Sequence, residues 1–351
     1  HLEVLNLSDT SNTLTVTGDA GDSVDLGAGW KQIVNGDDGQ KRFTQGTATV
    51  LVTDEVTTSA TPVVFLLSKI NGSDAFVLEG IDTNDHSGWS VSTAGDVNGD
   101  GYSDILIGAY AADPNGSNSG ETYVVFGKSG SFDASVDLGA LDGSDGFILE
   151  GIDTNDRSGI SVSTAGDVNG DGYSDILIGA YAADPNGGSS GETYVVFGKS
   201  ESFGSSVDLS SLDGATGFRL DGASGGDLSG RSVSTAGDVN GDGYSDILIG
   251  AYYADPGGIY QAGETYVVFG KSGSFGASVD LGALDGTDGF VLEGIDMNDH
   301  SGVSVSSAGD MNGDGYADIL IGADTADPGG DSAAGETYVV FGKSESFDSN
   351  V

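Results

Sequence analysis

One nine-residue segment returns four times and sets what this chain can fold into. DVNGDGYSD begins at Asp96, Asp167 and Asp238, and comes back as DMNGDGYAD at Asp310, at intervals of 71, 71 and 72 residues. A fixed period of this length marks a repeat architecture, in which one supersecondary unit is laid beside the next. Each unit also holds four short apolar runs. In the first they are AFVLEG, WSVSTAG, DILIGAY and ETYVVFGK. Runs rich in Val, Ile, Thr and aromatics, bounded by Gly, Asp and Asn, read as strands. Four antiparallel strands per unit, in tandem, predict an all-β chain: a β-propeller of four four-stranded blades, complete or part of a larger one. A stacked β-solenoid is the second choice, but its rungs are usually shorter than about 30 residues. The units run 65–135, 136–206, 207–277 and 278–351.

Each copy of the segment reads Asp-x-Asn-x-Asp-Gly-x-x-Asp, with oxygen donors at alternate positions and a glycine where the loop must turn. Calcium is a hard cation that takes roughly six to eight oxygen ligands. The candidate donors are Asp96, Asn98, Asp100 and Asp104, with the carbonyl of Tyr102. Their counterparts are Asp167, Asn169, Asp171, Tyr173 and Asp175; Asp238, Asn240, Asp242, Tyr244 and Asp246; and Asp310, Asn312, Asp314, Tyr316 and Asp318. Without a cation, carboxylates this close repel one another. Magnesium prefers a tighter octahedron, and zinc lacks its usual ligands in a chain with no Cys and three His. The loop resembles the first half of an EF-hand, but Ile107 stands where the closing Glu belongs, and the residues that follow read as a strand. The pattern is therefore a calcium loop inside a β-hairpin, about four ions per chain, one for each loop. The other reading is an Asx-rich turn with no metal; recurrence in one register favours the metal.

Composition removes several function classes. The chain carries 55 acidic and 11 basic residues, a formal net charge of −44. Nucleic acid needs Lys and Arg on its phosphates, and anionic membrane surfaces need the same. With no cysteine there is no disulfide framework and no thiol chemistry. No apolar stretch is long enough to span a bilayer, so membrane insertion is not expected. The start at His1 without Met suggests a processed product or a segment of a longer chain. Residues 1–61 lack the repeat and read as a small β-sandwich-like module, with Leu14, Val16, Val24, Leu26, Trp30, Val50 and Val52 as its core and TTSATP at 57–62 as a linker.

Residues 65–351 resemble FG-GAP repeats, the blade units of the integrin α-subunit propeller and of many bacterial surface proteins. The FG element is Phe126-Gly127, Phe197-Gly198, Phe269-Gly270 and Phe341-Gly342. The GAP element is Gly108-Ala109-Tyr110, with tyrosine in place of proline, and Gly322-Ala323-Asp324 in the last unit. The resemblance implies one calcium ion in a hairpin loop of each blade. The family usually has seven blades, whereas four units are present here. The AFVLEG strand precedes the first loop, and the last unit stops after YVVFG, so the two ends lack complementary pieces. This predicts a closed ring, with Phe76–Gly80 beside Tyr338–Gly342.

Two loops vary while the rest of the unit stays constant. After LEG, one position reads His86, Arg157, Leu228 and His300, and three residues later come Trp89, Ile160, Arg231 and Val303. The GAY-to-GET loop varies too, and carries Tyr260 in the third unit. Asp82, Asn84 and Asp85 recur in units two and four, but ASGGD in unit three lacks most of them, which argues against a structural role in every blade. Asp113, Asp184, Asp255 and Asp327 precede Pro in ADP and read as turn initiators. An enzyme needs an asymmetric set of base, nucleophile and stabiliser; here the carboxylates sit in repeated loops, and the chain reads as non-catalytic. The function expected is a calcium-stabilised, secreted or cell-surface adhesion or structural module. Its ligand would be a protein or glycan of the cell surface or matrix, or a second copy of itself. A lectin-like propeller is the alternative, requiring Trp89 and Tyr260 on exposed faces. An accessory domain of a polysaccharide-active enzyme is the third reading.

Overall fold

The computed structural model describes the backbone of seven strands between residues 3 and 59, then residue 67, residues 70–344 and residue 347. The chain forms two compact units, His1–Asn71 and Gly72–Val351. In the first, β1 (Glu3–Leu7), β2 (Thr13–Thr17), β4 (Lys31–Asn35), β5 (Gln40–Gln45) and β6 (Ala48–Thr53) make one sheet in the order β1-β2-β6-β5-β4. A separate parallel pair joins β3 (Ser23–Asp25) to β7 (Thr57–Ser59). Phe43 is buried. The side chains of the expected core, from Leu14 to Val52, lie outside the described residues.

The second unit is a row of β-propeller blades. Unit one supplies β8 (Val77–Glu79), β9 (Ser90–Gly95), β10 (Asp104–Ala109) and β11 (Glu121–Val125). Unit two supplies β12 (Ser135–Asp137), β13 (Gly146–Glu150), β14 (Ser161–Gly166), β15 (Asp175–Ala180) and β16 (Glu192–Val196). Unit three gives β17 (Ser206–Asp208), β18 (Gly217–Asp221), β19 (Ser232–Gly237), β20 (Asp246–Ala251) and β21 (Glu264–Val268). Unit four gives β22 (Ser278–Asp280), β23 (Gly289–Glu293), β24 (Ser304–Gly309), β25 (Asp318–Ala323) and β26 (Glu336–Val340).

Three of the four blade sheets take strands from more than one unit. The sheet orders are β9-β10-β11-β13-β17, β14-β15-β16-β18-β22, β19-β20-β21-β23 and β24-β25-β26. The fourth strand of a blade therefore comes from the next unit and pairs antiparallel, Glu121 opposite Glu150 and Val125 opposite Gly146. The fifth comes from the unit after that and pairs parallel, Ile148 opposite Ser206. This fifth strand, S-V-D, is three residues long and ends in an Asp that caps a 3-10 turn, Asp137 Oδ1 accepting from the Gly139 N–H at 2.9 Å. The sequence reading of four strands per blade missed it, because a three-residue run shows no alternation.

Central strands are buried on both faces, which is why DILIGA reads as an unbroken apolar run: all six residues of β15 and of β20 are buried. The inner strands β9, β14, β19 and β24 pack in sequence order. At the outer side each junction holds three phenylalanines. Phe126, Phe147 and Phe203 form the first set, with Phe147 stacked on Phe203 at 4.2 Å. Phe197, Phe218 and Phe275 form the next, and Phe269, Phe290 and Phe347 the third.

The expected ring closure is not found. β8 pairs in parallel with β12, and β26 pairs with β25 alone. Among the described residues the first F-x-L-E strand and the last ETYVV strand do not pair, so the sheets do not close into a ring.

The glycine of the Gly-Ala element has a steric cause in the first three units. A Cβ on Gly179 would lie 2.0 Å from the Gly230 carbonyl oxygen of the next blade, and one on Gly108 2.0 Å from that of Gly159. Backbone cannot retreat as a side chain can. Gly179→Ala should cost about 1–3 kcal/mol, as overpacked sites do. Gly188→Ala, at an exposed glycine with nothing within 4 Å of the added carbon, should leave stability unchanged. Urea unfolding of the two variants beside the parent checks this.

Candidate functional site

The acidic loop joins the first two strands of every blade at one end of the sheet. Its shape is fixed by carboxylates that accept backbone N–H groups. Asp96 Oδ1 accepts from Gly99 and Asp100 at 2.7 and 3.1 Å, and Oδ2 from Gly101 at 2.9 Å. Asn98 Oδ1 accepts from the Asp100 N–H, and Asp100 Oδ1 from the Tyr102 N–H, both at 2.9 Å. Asn98 Nδ2 donates to Asp100 Oδ2 at 3.2 Å. The loops of Asp167, Asp238 and Asp310 repeat this set of bonds with distances within 0.4 Å of these. The structure thus brings Asp96, Asn98 and Asp100 together, and likewise their equivalents.

Asp104 has a different place. It is buried at the start of β10, with Oδ2 accepting from the Val97 N–H at 2.9 Å and Oδ1 from the Gly127 N–H at 2.8 Å. Asp175, Asp246 and Asp318 do the same for Val168 and Gly198, Val239 and Gly270, and Met311 and Gly342. Burial pushes Asp104 up to about 6, Asp246 to about 7 and Asp175 to about 8; the two N–H bonds oppose this, while the neighbouring loop carboxylates add to it.

Among the described residues no three His, Cys, Asp or Glu side chains already form a cage for a metal ion. The donor chemistry nevertheless fits a hard cation. Each loop gathers carboxylate and amide oxygens, those that accept a single N–H, such as Asp96 Oδ2 and Asn98 Oδ1, keep a second lone pair, and among the described residues no loop carboxylate has an ion-pair partner.

The two variable loops meet at the opposite end of the strands. His86 stacks on Tyr110 at 5.4 Å, and Trp89 meets the same ring edge-on at 5.0 Å. Arg157 lies over Tyr181, 5.6 Å from the ring centre, and donates to its hydroxyl. His300 meets Tyr253 and Tyr252, and its Nδ1 lies 3.0 Å from the Thr325 hydroxyl. Trp89 and Tyr260 are each 54% exposed. His86, Arg157, Leu228 and His300 all hold the left-handed conformation, with φ of 57°, 60°, 59° and 57°. Such a conformation costs a non-glycine residue about 1–2 kcal/mol. The most variable position is therefore a side chain kept where glycine would be cheaper.

One sequence reading is corrected here. Asp85, Asp156, Asp227 and Asp299 are all buried, so unit three retains its aspartate. The carbonyls of Asp85, Asp156 and Asp227 accept from Ala111, Ala182 and Tyr253, and the Asp156 and Asp227 side chains close their own turns. The role is structural and recurs down the array. The signal was present in ASGGD, which loses the outer donors of the segment and keeps this one.

Repeated antiparallel blades, an acidic hairpin loop at one end and variable loops at the other define a tandem-repeat β-propeller protein. The FG-GAP repeat family matches residues 87–125, 158–196, 229–268 and 301–340. This is a chain of four FG-GAP repeats. Integrin alpha-IIb of Mus musculus is 30% identical over 193 residues, 53% of this chain and 17% of that protein. Integrin alpha-PS2 of Drosophila melanogaster is 28% identical over 225 residues, 63% and 15%. Phosphatidylinositol-glycan-specific phospholipase D of Bos taurus is 33% identical over 187 residues, 50% and 20%. The matched stretch thus spans a fifth or less of each of these relatives. Among the described residues no helix is long and apolar enough to cross a membrane.

The raised aspartates have a signed consequence in metal-free solution. Their folded values lie above the ordinary 3.8, so the native state holds more protons than the unfolded one between pH 4 and 8. Their contribution is present in full below that window and is lost as pH rises through it. Melting temperature in chelator should fall from pH 5 to pH 8; a rise over this range would contradict the assignment.

Proposed function

We propose that the repeat array is a non-catalytic, calcium-stabilised extracellular interaction module that presents its variable loops to a protein on a cell surface or in the matrix. The observation that carries this reading is the split within each blade: near-identical acidic loops at one end, and an aromatic and basic set that differs from blade to blade at the other. In the first loop the ion would be held by Asp96, Asn98, Asp100 and Asp104 with the Tyr102 carbonyl, and in the others by the corresponding residues. Calcium supplies positive charge that offsets the crowded carboxylates. The loop oxygens already face a common turn, so filling it stiffens the β9–β10 hairpin and its equivalents, and through them the blade. The likeness to integrin α chains supports an interaction role for the matched stretch.

A glycan is the second reading, favoured by the exposure of Trp89 and Tyr260, since flat aromatic faces at a wet surface suit sugar rings.

Calcium added to chelated protein, magnesium held constant, should raise the melting temperature. Each site contributes about 2.7 kcal/mol at a calcium concentration of about 100 Kd. Titration calorimetry should count about four sites for the parent, one per loop, and one fewer for Asp171→Ala. An unchanged melt and no binding heat would remove calcium from the reading. On the opposite face, Arg157→Gly relieves left-handed strain. It should therefore keep or raise stability while weakening ligand capture in glycan-array and surface-protein screens, as should Trp89→Ala. Unaltered capture by both variants would place the ligand elsewhere.

A further inference from the structure

Residues 72–351 carry seven basic side chains, and five of them are already engaged. Lys128, Lys199, Lys271 and Lys343 each lie over a phenylalanine ring, 4.7–5.0 Å from its centre. Arg219 pairs with Asp221 at 3.0 Å. Arg157 and Arg231 remain, and among the described residues neither forms an ion pair. In a chain with 55 acidic residues, two guanidinium groups without a carboxylate stand against the charge pattern.

Both sit in the variable loops of adjacent units, and the two loops converge on one group of hydroxyls. Arg157 lies over the Tyr181 ring and donates to its hydroxyl. Tyr252 holds the corresponding place one unit on. Burial and Tyr253 push the Tyr252 hydroxyl up, Arg231 opposes this and Tyr181 adds to it. Tyr252 is thus within electrostatic reach of Arg231 and of the ring that Arg157 covers.

Arg157 is held ready for a ligand. Its backbone keeps φ at 60°, a conformation that a non-glycine residue adopts at a cost. Its planar head is set by ring and hydroxyl together, so less freedom is lost when it binds. A guanidinium has several N–H donors, and the bond to Tyr181 uses one. Tyr181, which accepts from Arg157, keeps its own O–H to give.

The rings at this place are already partnered. Arg157 covers Tyr181, Tyr252 and Tyr253 lie 4.2 Å apart, and His300 meets both. His300 has Asp324 3.8 Å from its Nδ1. A ligand here meets N–H and O–H donors and positive charge, not an open face such as Trp89 or Tyr260 offers. Such a donor set suits a carboxylate better than a sugar ring.

We propose that Arg157 and Arg231 form one anion site that takes a single Asp or Glu carboxylate of a protein partner. This rests on the interaction role proposed for the same face and gives its ligand a chemistry. The net charge of −44 narrows the partner further. A polyacidic segment is repelled at long range, whereas one carboxylate in a neutral or basic segment is not.

The chain has four arginines, Arg42, Arg157, Arg219 and Arg231, so a nitrogen-labelled side-chain spectrum has few Nε–H signals to follow. The full chain, with calcium present, is titrated with N-acetyl-aspartate amide at constant ionic strength. The Arg157 and Arg231 signals should move together and saturate at one shared midpoint, while Arg219 stays still. The asparagine counterpart of the probe should move neither. Arg157→Gln should raise the midpoint read at Arg231 about tenfold, as loss of a hydrogen bond to a charged group does. Arg157→Lys should not restore it, since an ammonium lacks the planar fork. Arg157 is exposed, so both variants should stay folded by circular dichroism, and the parent titration decides the matter without them. Two separate midpoints, or a drift of all four signals without saturation, overturns the proposal. So does a methyl glucuronide that binds more tightly than the aspartate, which would give the site to an acidic glycan. Loss of surface-protein capture in Trp89→Ala without a shared arginine midpoint would remove the anion site alone. A shared midpoint in a parent that captures no protein would remove the interaction role and with it the protein partner.

Discussion

A carboxylate taken out of water must be given hydrogen-bond donors or it destabilises the fold. In each blade one aspartate meets that demand in a way that holds the unit together. Asp104 ties the acidic loop, through Val97, to Gly127, two residues past the third strand, while itself opening the second. The same carboxylate explains why the FG element and the loop occur together: Gly127 offers its N–H to Asp104, and a Cβ there would lie 2.5 Å from the Ser103 carbonyl. Acidic loop, central strand and FG turn are thus one electrostatic unit. A cation at the loop would act on a buried group whose charge the fold otherwise resists.

Much of this architecture could be read before the structure. The period, the strand runs and the membership of F-x-L-E in the preceding blade follow from patterning and from where the repeat is cut at each end. What escaped is what pattern does not encode. The S-V-D strand is too short to alternate, and its parallel partner lies a full unit away. Asp104 and Asp96 look alike as letters in a motif, yet one is buried between two N–H donors and the other rims the loop. Asp227 escaped because its neighbours differ, although its backbone place is that of Asp85. Ring closure depends on how far each blade turns against the last, a sum over many contacts that no local run reveals.

The two ends of the blade answer to different constraints. At the acidic end, bonds repeat within a few tenths of an ångström from unit to unit, and substitution would break a tie. At the other end, the backbone repeats as faithfully but the side chains do not: four residues as unlike as His86, Arg157, Leu228 and His300 share one left-handed turn. The scaffold holds the position and leaves its chemistry free.

Strand sharing has a consequence for how such a chain can change in length over evolutionary time. Since every junction is built from the same contacts, slipped recombination across one period inserts or removes a whole blade with both new faces already matched. The place tolerant of smaller changes is equally defined. The extra residue that makes the last interval 72 falls between β20 and β21, in the loop bearing Tyr260, and the ladder beside it keeps the pairing of Ala251 with Glu264 that Ala180 makes with Glu192. Gene-level insertions of a few codons are absorbed at the variable face, and those of a full period at the junctions.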